Sequence, residues 1–125
     1  MSLRGNAIPK PSGCTYIDKV DQDQQRVQQG PVTIAAETDQ IYVDTQAECV
    51  IEDQRLQRRL HIAKAGSAST VIWNPWQARA KQMGDLGTMG YLNMLCVETA
   101  NAPINEVTIQ PGHEHTLKAV ISVEK

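Results

Sequence analysis

The sequence contains no phenylalanine, and two tryptophans and three tyrosines supply all of its aromatic content. Any core must therefore rest on Val, Ile, Leu and Met, with each ring a rare packing unit. Cysteine is scarce as well. Cys14, Cys49 and Cys96 are odd in number, widely spaced and without a Cys-x-x-Cys pair, which argues against a disulfide framework and against a zinc site. No apolar run approaches the roughly 20 residues that cross a bilayer. The N-terminal residues lack the apolar centre of a secretory signal. A cytoplasmic protein without a membrane partner is the expectation. Positive charge is equally short: the net charge is −2 and the sequence pI is about 5.9. The densest basic cluster, Arg55, Arg58 and Arg59, is interrupted by Leu56, Gln57 and Leu60. Without a basic stripe, nucleic acid is not an expected partner.

What is present fits one globular domain. The 125 residues are 41% hydrophobic and 21% charged, a balance that excludes a disordered chain. Residues 1–12, with Pro9, Pro11 and Ser12, read as an irregular lead-in to a domain spanning 13–125. Short β-type runs then recur at 14–20, 32–35, 40–43, 49–51, 60–63, 70–73, 91–98, 106–109 and 115–123. Turn residues separate them, and the spacing predicts an all-β, antiparallel sandwich. The Gln-rich stretch 21–29, closed by Gly30-Pro31, reads as a surface loop. One short helix is predicted over 75–83, with Pro75 in its first turn and Asn74 as its cap.

Few residues carry readable chemistry. In a strand over 91–98, Leu92, Met94, Cys96 and Glu98 share one side. A carboxylate ending an apolar row is partly withdrawn from water and holds its proton more firmly, as general acid–base work near pH 7 requires. Emergence of Glu98 into solvent at the strand end is the simpler reading of the pattern. Cys96 in that run reads as a small core residue. Asp39, at a strand start, is first of all a turn or cap residue. In Trp73-Asn74-Pro75-Trp76, two indoles bracket a turn. They form either a platform for a sugar ring, with Asn74 bonding a hydroxyl, or a packed corner that substitutes for the missing Phe. His113 and His115 have the spacing of a metal pair on a strand, but no third ligand stands near, so no metal is expected. His61, between Leu60 and Ile62, reads as a strand residue without chemistry.

Several segments taken in order resemble the hexose-6-phosphate 1-epimerases, members of the aldose 1-epimerase, galactose mutarotase-like group. Tyr16-Ile17-Asp18-Lys19 is similar to their Tyr-x-Asp-Lys stretch, and Asp39-Gln40-Ile41-Tyr42 to their Asp-Arg-Ile/Val-Tyr segment. Val71-Ile72-Trp73-Asn74-Pro75-Trp76, followed by Met83 and Asp85, looks like their Val-Trp-Asn-Pro block and short helix. Cys96-Val97-Glu98 matches their Cys-Val-Glu strand, and Gln110-Pro111-Gly112 the turn before their last strand. The resemblance implies the C-terminal portion of a mutarotase-like β-supersandwich. It implies interconversion of the α and β anomers of a hexose or hexose 6-phosphate, without a cofactor. It assigns the base to Glu98 and a sugar-binding role to Asp39, and it leaves Trp73 and Asn74 as candidate substrate contacts.

Two departures accompany it. The acid of these enzymes is a His of their N-terminal half, and none of His61, His113 and His115 stands in the matching context. Gln40 replaces the Arg usual after the Asp, which removes a positive charge from any phosphate grip. An isomerase portion that depends on a complementary N-terminal half is thus one reading. The other is a non-catalytic carbohydrate-binding or interaction module on the same scaffold. A partial sandwich leaves apolar faces and strand edges uncovered, so self-association through them is expected.

Overall fold

The computed structural model describes residues 13–125, together with the backbone of a short strand at 7–9. Short β-branched runs closed by turns become strands, in the order β1 (Ala7–Pro9), β2 (Thr15–Asp18), β3 (Gln24–Val27), β4 (Thr38–Tyr42), β5 (Cys49–Asp53), β6 (Arg58–Ala65) and β7 (Ser69–Asn74). Helix α1 (Trp76–Met83) and a 3₁₀ turn (Gly90–Asn93) follow, then β8 (Cys96–Ala100) and β9 (Lys118–Glu124). One sheet has the order β1-β5-β6-β9, the other β3-β2-β4-β7-β8. All described strand pairs are antiparallel. This is the antiparallel all-β architecture with one short helix that the sequence predicts.

Alternation along the strands decides which side is core. On the five-stranded sheet Tyr42, Ile72, Thr70 and Asn74 are buried, whereas their neighbours Ile41, Val71 and Trp73 are only half-buried. The inner side carries one cluster of Val32, Ile34, Tyr42 and Ile72, against which Cys14, Tyr16, Trp76 and Leu95 pack. The other sheet contributes Cys49, Ile51 and Ile62, and Leu95 with Val97 reaches across to it. The two sheets meet through these residues. With no Phe, the few rings are placed centrally: Tyr16 and Tyr42 lie with centroids 5.1 Å apart. The Tyr42 hydroxyl lies 3.0 Å from Gln28 Oε1 and 2.9 Å from Gln40 Oε1, so its polar tip is not stranded. Lys64 is half-buried and donates to Ser67 Oγ, the Ser69 carbonyl and Thr70 Oγ1 at 2.8–3.1 Å. Burial pushes its ammonium down in pKa, and the three acceptors satisfy its three donors.

Several elements differ from the sequence prediction. Within the lead-in expected at 1–12, the backbone of Ala7–Pro9 pairs with β5; the rest lies outside the described residues. The expected loop at 21–29 contains β3, which closes a hairpin with β2 through Gln22 and Asp23 at φ 52° and 59°. As an exposed edge strand it needs backbone pairing but no apolar side chains, so polar composition concealed it. Val32 and Ile34 are buried but belong to no extended strand; they plug the core from a loop. The run 91–98 is divided: residues 90–93 form the 3₁₀ turn, and β8 starts only at Cys96. The segment 106–109 is irregular, and the last strand starts at Lys118, not at 115. Among the described residues no helix is long and apolar enough to cross a membrane.

Ile72 is 1% exposed at the centre of the first cluster. Its truncation in Ile72→Ala is expected to cost about 3 kcal/mol through lost burial and the cavity left behind. Urea unfolding checks this, and a loss under about 1 kcal/mol would contradict the placement of the core.

Candidate active site

The register of three strands assembles the site. Asp39 of β4 lies opposite Trp73 of β7, and Trp73 lies opposite Cys96 of β8. Two residues along, Ile41 is opposite Val71, and Val71 is opposite Glu98. Directly opposed residues share a face, so Asp39, Trp73, Cys96 and Glu98 line the outer side of the five-stranded sheet. Strand spacing and rise separate the Asp39 and Glu98 backbones by about 12 Å, with Trp73 between them. The sheet thus presents two carboxylates flanking an aromatic platform.

The two carboxylates have different environments. Burial pushes the Asp39 carboxyl up in pKa; Lys19 and Arg79 pull against it, and Glu37 and Asp18 add to it. Its main-chain carbonyl accepts the Lys19 N–H at 2.8 Å, which ties β2 to the start of β4. Glu98 is exposed. The apolar row expected beneath it does not form, because Leu92 lies in the 3₁₀ turn and Met94 precedes β8. Cys96, expected in the core, is half-exposed on this face; burial and then the nearby Glu98 charge push its thiol up. Strand alternation already places it on the same side as Glu98; what the sequence does not show is that this side faces outward.

Asn74 belongs elsewhere. It is 0% exposed, on the inner side of β7. Its Nδ2 donates to the Tyr91 carbonyl at 2.9 Å and the Met94 carbonyl at 3.0 Å, and its Oδ1 accepts the Trp76 N–H at 2.8 Å. With its amide fully used, Asn74 has no free group for a sugar hydroxyl, which corrects the expectation of substrate contact. It holds a corner in which Trp76 adopts φ 57°, a left-handed conformation that costs about 1–3 kcal/mol in a bulky residue. Edge-on packing of Trp76 against Tyr91, with centroids 5.0 Å apart, completes the corner. Trp73 faces the open side, while Asn74 and Trp76 build the packed corner.

His61 lies on the other sheet. His61 bonds Glu48 at 2.5 Å and Glu124 at 2.7 Å on the four-stranded sheet, and these carboxylates raise its pKa. His115 Nε2 meets the Gly66 carbonyl at 2.8 Å. A side chain at Gly66 (φ 71°) would collide with the Thr116 carbonyl, so glycine is required there. A cleft of about 360 Å³ lies on the four-stranded sheet, lined by residues including Asp53, Arg58, Arg59 and Glu124. Within its lining Arg58 pairs with Asp53, and Arg59 with Glu52 and Glu124, and neither Asp39 nor Glu98 belongs to it.

This fold is that of a known family. The chain belongs to the aldose 1-epimerase family, whose profile matches residues 9–122. It is 34% identical over 79% of its length to a relative from Cenchrus ciliaris and 31% identical over 86% to one from Escherichia coli (strain K12). Both are named "Putative glucose-6-phosphate 1-epimerase". The crystal structure of a "putative mutarotase" from Salmonella typhimurium superposes with a TM-score of 0.78 at 29% identity, over 99% of this chain. The chain spans 30–37% of the length of those two relatives and 42% of that structure.

Asn74→Ala leaves two buried carbonyls and one N–H unpaired and is expected to cost about 2–3 kcal/mol. Thermal unfolding beside a sugar titration checks this. Unchanged stability with lost sugar binding would return Asn74 to the site.

Proposed function

We propose that the outer side of the five-stranded sheet is the sugar face of an aldose 1-epimerase, acting on a hexose or hexose 6-phosphate. The observation that carries this reading is the co-facing of Asp39, Trp73 and Glu98 on neighbouring strands of a chain in this family. The names of the curated relatives support the glucose 6-phosphate alternative, while Gln40 supplies no charge for a phosphate. In the proposed mechanism the sugar ring lies against Trp73, and Asp39 accepts hydrogen bonds from its hydroxyls. The Glu98 carboxylate takes the proton of the anomeric hydroxyl as an acid protonates the ring oxygen and the C1–O5 bond breaks. Rotation about C1–C2 turns the carbonyl, and reclosure returns the proton from Glu98. Electrons and protons balance within the sugar, so no cofactor enters.

His61 and His115 are engaged elsewhere, His61 with Glu48 and Glu124 and His115 with the Gly66 carbonyl, which leaves the acid to a complementary part of a longer sandwich. The same observation favours a second reading, in which the chain binds sugars without turning them over. The cytoplasmic setting expected from the sequence stays part of the proposal, supported by three free thiols.

Anomer exchange of glucose and glucose 6-phosphate, followed by NMR, tests the proposal. Glu98 supplies only the base, so the chain alone is expected to accelerate exchange by no more than about a hundredfold, and Glu98→Gln to remove that acceleration. Exchange at the buffer rate with sugar-induced shifts intact selects the binding reading. Acceleration that survives Glu98→Gln contradicts the assignment of the base.

A further inference from the structure

We propose that the free edge of β9 pairs antiparallel with β9 of a second copy of this chain, centred on Ile121. Among the described residues β9 is the last strand of its sheet, bonded to β6 on one side only. All seven of its residues are exposed, with Ile121 at 70%, Val123 at 54% and Val120 at 48%. Its ladder with β6 is regular from Arg59↔Glu124 to Ala65↔Lys118, so no bulge turns the edge away. The central residues 119–123 (Ala, Val, Ile, Ser, Val) hold no charge, proline or glycine. Protein edges of this length normally carry one of these protections.

The charges at the two ends specify the occupant. In a twofold antiparallel pair centred on Ile121, Lys118 falls opposite Glu124 of the second copy, and Glu124 opposite its Lys118. Ala119 then meets Val123, Val120 meets Ser122, and Ile121 meets itself. A parallel or shifted pairing would lose both ion pairs. Glu124 is held in place for this contact: His61 Nε2 lies 2.7 Å from one of its oxygens and Arg59 3.9 Å from the other, yet it remains half exposed. The seam also extends the apolar row of Leu60 and Ile62 through Val123 and Ile121, which are opposed to them across β6–β9. The interface is isologous and closed, as in most homodimers.

Sedimentation equilibrium from micromolar to millimolar chain, with amide exchange at β9, tests this. A concentration-dependent dimer is expected, with slowed exchange at the alternate β9 amides that point away from β6. Lys118→Glu replaces two ion pairs with two repulsions and is expected to weaken association about tenfold. Ile121→Lys is expected to abolish it, and the charge-matched control Lys81→Glu on α1 to leave it unchanged. A monomer at every concentration overturns the proposal. So does a dimer indifferent to Lys118→Glu, since the copies then meet elsewhere. Protection of the outward β9 amides in dilute monomer also overturns it, because another segment of the polypeptide then covers the edge. The assay requires neither sugar binding nor Glu98, so it is independent of the proposed reaction.

Discussion

The antiparallel register of β4, β7 and β8 couples stability to the candidate chemistry. One ladder places Tyr42 and Ile72 inward, where they form a core without Phe. The same ladder places Asp39, Trp73 and Glu98 outward. A slip of one residue in β7 would exchange Trp73 with Asn74, removing the platform from the open face and the triply bonded amide from the core. The core therefore fixes the geometry of the face. Asn74 locks the register where β7 ends, since its partners span the 3₁₀ turn and the start of α1.

The two sheets are unequally finished. The inner side of the five-stranded sheet is covered by loop residues Val32 and Ile34, the corner and the other sheet. By contrast, β9 and the segment before it leave Ile104, Val107, Ile109, Leu117 and Ile121 in water. The chain matches 42% of the length of that "putative mutarotase" structure.

Much of this was legible in the sequence. Period-2 runs and turn residues located most strands, and Pro75 located the helix within a residue. β3 was hidden because an exposed edge strand needs no apolar pattern. Val32 and Ile34 were misread because a loop with at most an isolated bridge, at Val32, can bury side chains without forming a strand. Asn74 was separable in principle, since adjacent strand residues such as Trp73 and Asn74 point to opposite sides. The approach of Asp39 to Glu98, some sixty residues later in the chain, was not separable in this way. Each sits on its own strand, and only the register of the intervening β7 decides whether they share a face.

Chemical-shift mapping with glucose and glucose 6-phosphate tests that face most directly. The account predicts perturbations at Asp39, Trp73 with its indole N–H, Cys96 and Glu98, with the inward residues Ile72 and Asn74 unmoved. Shifts centred on the cleft of the four-stranded sheet, with Trp73 and Glu98 silent, would contradict it.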